Sequence, residues 1–266
     1  AKGDGSSDDA PSLTAALRAT GGRAGAVHLS TSRNYRVSSP LSIPNKVSFY
    51  GHGSSISLLK FKDRAVLFAG SDLRITDLIV SGGRPETPYS ARTMFGITSH
   101  NANRLDVDRC QFLHFQASGI FIGGRGRTNE IGRNISIQTC KFDGSGTQLQ
   151  GITIFAAEGC LISQNTLTGM TDVPILVDDA SNATTITDYG RLKDITIINN
   201  RINVERVNAG IRCIAAEGLI VANNHVTTSS NMSTYGIHSS LYDMKQQQQR
   251  NDGSLGKNEG TYLPID

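Results

Sequence analysis

Three residues that could bind charge or move protons fall at matching places in a recurring pattern. Arg212 follows Ile211, His238 follows Ile237, and Asp178 comes three residues after Ile175. Each of these isoleucines directly follows a Gly or Pro and opens a short apolar run. Hydrolysis by a carboxylate pair needs one group protonated to help the leaving oxygen and one ionised to attack or to activate water. Asp178 is the first choice for that role, with Asp179 or Asp188 as its partner. Elimination needs a base that removes the proton beside a carboxylate, and a cation that neutralises that carboxylate. His238 and Arg212 fit those two tasks. The plainer alternative is a surface salt bridge between Asp178 and Arg212, which would contribute little.

The elements that position these residues are read from the repeat. GITIFAAEGCLISQNTL at 151–167 returns as GIRCIAAEGLIVANNHV at 210–226, and another copy lies between them, PILVDDA at 174–180 followed by DITIINNRINV at 194–204. The unit is about 25–35 residues long with its variable loops, within the range of solenoid repeats. Its first strand begins at Gly96-Ile97, Gly119-Ile120, Gly151-Ile152, Pro174-Ile175, Gly210-Ile211 and Gly236-Ile237. A second strand follows after a turn: LDVDRCQF, ISIQTCKF, LISQNTL, ITIINNRI, LIVANNHV. Short β-branched strands, Gly/Asn/Ser turns and scarce helical periodicity predict an all-β fold, a single-stranded right-handed parallel β-helix. In such a solenoid each strand pairs with its copy one coil away, at ~4.8 Å.

The turn within the second strand is the most specific signal. Asn165, Asn200 and Asn224 occupy one row, with Cys110 and Cys140 in the same row of earlier coils. Asn tolerates the left-handed conformation expected at a sharp corner. Stacked amides can also bond one another, so an inward row satisfies itself. Alternation sends Ile120, Ile152, Ile175, Ile211 and Ile237 inward, followed two residues on by Ile122, Ile154, Val177 and Cys213. Cys160 falls in an inward row with Leu105, Ile135, Ile195 and Leu219. The four cysteines, with no CxxC pair and no His at zinc-finger spacing, are therefore expected to be buried free thiols.

The opposite face of the Gly-Ile strand reads Thr98, Phe121, Thr153, Leu176, Arg212 and His238 in successive coils. Two residues on come His100, Gly123, Phe155, Asp178, Ile214 and Ser240. Asp178 and Arg212 are expected within salt-bridge or one-water reach. Phe121 and Phe155 could stack on the rings of a ligand, and His100 and Thr153 could bond its hydroxyls. Insertions at 81–95, 143–150, 203–209 and 227–235 precede the strand, and others at 123–133 and 179–193 follow it. Two walls of loops beside a flat strand make a groove suited to an extended ligand. Glu158 and Glu217, repeated in AAEG, are read as turn residues.

A solenoid needs a covered end. DAPSLTAALRA at 9–19 supplies the one convincing helix, with Asp8 or Asp9 as N-cap, Pro11 in the first turn and Leu13, Ala16 and Leu17 as its apolar stripe. KGDGSSDDAPSLTAAL followed by VHLSTSRNYRVSSPLSIPNKVSFYGHGSSISLL resembles the N-terminal cap and first coils of the pectate-lyase-like β-helix proteins. That group includes bacteriophage tailspike depolymerases and secreted polysaccharide-degrading enzymes. The resemblance covers residues 2–60 closely and the remainder as generic coils. It implies carbohydrate as the ligand class, an extracellular location (secreted or on a phage virion) and a homotrimer, without fixing the reaction. Gly51-His52-Gly53 spells the GHG of polygalacturonases but precedes the Asp178-Asp179 pair that it should follow, so a glycine turn with an exposed His is expected there.

The expected organisation is a cap at 1–26, the β-helix at 27–242 and an irregular polar tail at 243–266. Of the 266 residues 38% are hydrophobic and 18% charged, enough for one large core. A net charge of +3 gives no phosphate-neutralising stripe, so nucleic acid is not an expected partner. No apolar run is long enough to span a membrane. No cofactor is expected and no convincing metal cluster is spaced along the chain, while a surface Ca site stays open. The chain opens at Ala1 and is read as a mature product or a fragment. Polysaccharide degradation, with hydrolysis ahead of elimination, is the leading function; a non-catalytic glycan-binding adhesin and a structural spike element are the alternatives.

Overall fold

The computed structural model describes residues 1–58, 65–82, 95–123, 130–145, 150–178, 192–204, 209–214, 216–228, 235–240 and 261–263. Their strands stack as a right-handed parallel β-helix with three faces. The first face carries the Gly-Ile strands: Phe95–Ser99, Ser118–Ile122, Gln150–Ile154, Ile175–Asp178, Ala209–Ile214 and Tyr235–Ser240. The second holds Asn103–Asp108, Gly132–Gln138, Ala157–Ser163, Leu192–Ile198 and Ile220–Ala222. The third holds Gln111–Leu113, Lys141–Asp143, Thr166–Met170, Arg201–Val204 and His225–Thr228. Val47–Leu58 and Leu73–Ser81 bend through both of the latter faces.

The inward rows follow the alternation. Ile120, Ile152, Ile175, Ile211 and Ile237 are register partners, as are Ile122, Ile154, Val177 and Cys213. Leu105, Ile135, Cys160 and Ile195 form another row. All four cysteines are buried and unpaired. Burial pushes the Cys160 and Cys213 thiols up to about 12.

The asparagine corner is a continuous hydrogen-bonded column. Cys140 N donates to Asn165 Oδ1 at 2.9 Å, and Asn165 N and Nδ2 both donate to Asn200 Oδ1 at 3.0 Å. Asn200 N and Nδ2 donate to Asn224 Oδ1 at 3.0 and 2.9 Å, and Asn200 Nδ2 also reaches Ile162 O. The left-handed backbone sits one residue earlier than expected, at Arg109, Thr139, Gln164, Asn199 and Asn223, with φ of 51, 55, 57, 58 and 55°. The reason is division of labour: the first corner residue turns the chain while its N–H keeps a coil-to-coil bond, as Gln164 N does to Ile198 O. The next residue is then free to point its amide inward.

The helix spans Ala10–Ala19 and buries Ala10, Leu13 and Leu17; Ala16, expected in that stripe, is exposed. Asp9 is the N-cap residue without a side-chain cap bond, since its carboxylate accepts from Lys2 N and Gly3 N instead. Asp8 Oδ1 takes the Ala10 N–H at 3.0 Å. Gly51-His52-Gly53 interrupts the register of Val47–Leu58, with His52 exposed at φ 51°. A Cβ on Gly51 would lie 2.4 Å from Asp77 O, so the close stacking of two coils requires glycine there. Within the tail expected to be irregular at 243–266, Thr261–Leu263 forms a strand that pairs antiparallel with the last Gly-Ile strand.

Candidate functional site on the first face

Parallel pairing aligns Phe68, Thr98, Phe121, Thr153, Leu176, Arg212 and His238 as one outward row along the solenoid. Its middle is closed. Phe121 and Phe155 are each 4% exposed and do not offer the open sugar platform expected of them. Phe121 packs on Phe95 with centroids 4.6 Å apart and meets Phe155 edge-on at 5.3 Å. Aromatic rings on adjacent coils bury one another this way because their edge-to-face contact adds to the area they remove from water. Thr153, expected to bind hydroxyls, is 2% exposed and shares a 2.7 Å hydrogen bond with the Ser118 hydroxyl. His100 remains exposed, its Nδ1 3.5 Å from Glu130 Oε2 and its ring edge-on to Phe121.

The C-terminal end of the row is more open. Arg212 and His238 are half-buried, directly opposed register partners. Burial holds the His238 imidazole below its usual range, and the neighbouring Arg212 charge pushes it further down. His238 is thus poised as a neutral base at neutral pH. Arg212 Nε is buried and has no hydrogen-bond partner among the described residues, an arrangement that costs stability unless an oxygen arrives to accept from it. Asp178 ends its strand opposite Ile214, 3% exposed. No ion pair joins Asp178 to Arg212 among the described residues: the carboxylate lies two positions further along its strand, opposite Ile214 rather than Arg212. Asp179 and Asp188 lie outside the described residues, as do most of the flanking insertions.

Several charges on the second face and its corners are committed to one another. On the second face Arg74 meets Asp106 at 3.1 Å and Asp108 at 2.6 Å, and Arg109 bridges Asp77 and Asp108. Burial raises Asp106 above the ordinary carboxylate range while Arg74 pulls it down. The two AAEG glutamates end on basic neighbours, Glu158 on Arg133 and Glu217 on Lys193. Among the described residues no group of three or more His, Cys, Asp or Glu could hold a metal ion.

A polar groove on the third face was not anticipated from the sequence. It has a volume of about 450 Å³ and is lined by Thr166, Thr168, Arg201, Asn203, His225 and Thr227, among others. The signal that could have found it is the row Lys141, Thr166, Arg201, His225, which recurs just after the corner residues.

Residues 64–246 match the family model of the right-handed β-helix region. No curated protein matches the sequence. Among solved structures, a tailspike protein double mutant of E. coli bacteriophage HK620 aligns with a TM-score of 0.61 and 14% identity, over 90% of this chain. The chain spans 44% of that tailspike's length. The A-module of a mannuronan C-5 epimerase of Azotobacter vinelandii aligns at TM-score 0.42 and 14% identity, over 98% of this chain and 80% of the other. A surface adhesin of Streptococcus pneumoniae aligns at 0.38 and 12%, over 90% of this chain and 92% of the other.

Proposed function

The chain belongs to the right-handed, pectate-lyase-like β-helix family, and we propose that it degrades an acidic polysaccharide laid along the outward row of the first face. The observation that carries this reading is the Arg212–His238 pair: an unsatisfied buried guanidinium nitrogen beside a half-buried imidazole held neutral. That pairing favours elimination over hydrolysis. Arg212 neutralises the sugar carboxylate, which acidifies the C–H beside it. His238 takes that proton, the electron pair forms a C=C bond, and the adjacent glycosidic C–O bond breaks. The departing oxygen is protonated from water. The products are one unsaturated end and one new reducing end.

Asp178, buried at the end of the neighbouring strand, supports hydrolysis as the second reading, with Asp179 as the other carboxylate. Action outside the cell and assembly as a homotrimer belong to the same proposal. The test is incubation with a panel of uronate-containing bacterial surface polysaccharides, following both ultraviolet absorbance and reducing ends. Absorbing product that disappears in His238→Gln is expected. Reducing ends without absorbance would turn the assignment to hydrolysis and Asp178. Retention of polymer with neither product would mark a glycan-binding adhesin, and no engagement at all a structural element.

A further inference from the structure

We propose that the groove on the third face is a second saccharide site, distinct from the row on the first face, which takes a carboxylated glycan segment running along the solenoid axis. The two sites sit on different faces of the solenoid, with the hydrophobic core between them. Neither proposal depends on the other.

The groove crosses three adjacent coils, and its volume of about 450 Å³ suits a short oligosaccharide. Its first row, Thr166, Arg201 and His225, repeats at one-coil steps of ~4.8 Å, and Lys141 continues the same line one coil beyond the groove. This places two fixed positive charges and an imidazole along one line. The guanidinium of Arg201 makes no hydrogen bond or ion pair among the described residues, whereas Arg74, Arg104, Arg109 and Arg133 all meet carboxylates. Asp143 does not line the groove, and its Oδ1 accepts from the Ser145 N–H and hydroxyl at 2.9 and 3.1 Å. Cationic charge in the groove is therefore left for a ligand.

Hydroxyls and an amide form the second row. Thr227 Oγ1 makes only long contacts, 3.4 Å to Ile202 O and to Asn203 Oδ1, and Thr168 Oγ1 lies 3.5 Å from Phe142 O. These groups retain capacity to donate to and accept from an incoming ligand. Apart from the His225 imidazole no aromatic ring lines the groove, and its one aliphatic member is Ile202. Hydrogen bonds and charge then direct recognition, with threonine methyls and aliphatic stems supplying apolar contact to ring C–H faces, which fits a hydroxyl-rich anion. A guanidinium spaced from Lys141 by two coils can engage carboxylates on successive sugars.

Calorimetric titration of the full chain with oligogalacturonate, and with the same oligomer fully methyl-esterified, tests this. The carboxylated oligomer should bind, and the ester at least about tenfold more weakly. The double variant Arg201→Gln/His225→Gln should lose about tenfold or more in affinity with its melting temperature unchanged, since both side chains are exposed. Thr168→Val, which keeps shape and removes the hydroxyl, should lose a smaller factor. Arg212→Gln should leave groove binding intact, so a failure on the first face is read separately as loss of product formation. Equal binding of the ester, unchanged affinity in the double variant, or no binding of either oligomer overturns the proposal. So does self-association of the wild type that the double variant abolishes, which would make the groove an interface between copies.

Discussion

The asparagine corner and the outward row of the first face run along the same coils and obey opposite rules. At the corner Asn recurs over three coils, the amides of Asn165 and Asn200 each bond the copy in the next coil, and the Cys140 N–H joins from the coil before. On the outward row the residue changes at nearly every coil: Thr98, Phe121, Thr153, Leu176, Arg212, His238. Where the solenoid repeats, a side chain is consumed by its neighbours and stabilises the stack. Where it breaks the repeat, neighbours close some positions, as Ser118 does Thr153, and leave hydrogen-bonding capacity at others, as at Arg212 Nε. Along this row the polar departures that stay open, Arg212 and His238, leave surface for recognition.

The largest expected effect comes from the row. His238→Gln keeps a polar side chain of similar reach but cannot serve as the base. It should lower turnover on an acidic polysaccharide by about 100-fold or more while Tm barely moves. A variant that retained its full rate would remove His238 from the chemistry and leave the row without a base.

At the corner the expected effect is on stability. Asn200→Ala strips the acceptor from Asn165 N and Nδ2 and leaves Ile162 O without its donor. A loss of about 1–3 kcal/mol in denaturant unfolding is expected, with activity per folded molecule unchanged. Asn224→Ala should cost less, because Asn224 lies at the partly exposed end of the column. Equal costs for the two would mean that burial does not set the strength of the ladder.

A finer test is pH dependence. The folded pKa of His238 is depressed, by burial first and by Arg212 second. The neutral, basic form therefore persists as pH falls, and the acid limb of the rate profile should lie below the ordinary imidazole value of about 6.5. Arg212→Gln removes one depressing charge and should move that limb upward, alongside its loss of substrate binding. The same shift bears on stability: the unfolded chain takes up the proton first, so this contribution is complete above about pH 6.5 and is lost as pH falls towards the folded pKa. A limb that stayed in place in Arg212→Gln would disconnect the two residues.

The smallest expected effect is chemical reactivity in the core. Cys160 and Cys213, with thiols pushed up to about 12, should react with thiol reagents at pH 8 only as fast as the chain opens. Fast labelling of folded protein would place them outside the inward rows.

The sequence by itself determined what repetition and alternation can encode. The β-branched runs after Gly-Ile, the inward isoleucine rows, the buried cysteines and the asparagine column all follow from side chains that face their own copies one coil away. Register therefore follows from local spacing, which also aligned Arg212 with His238. Only the tertiary structure decided what covers the outside. Phe121 and Thr153 alternate outward as any β-strand requires, but packing against Phe95, Phe155 and Ser118 closes them. The groove over Arg201 and His225 is equally invisible in a linear reading, because its concavity depends on how three coils stack on the third face. Alternation fixes the side of the sheet on which a residue lies; whether that side meets solvent depends on residues distant in sequence, and on long-range packing that no local pattern contains.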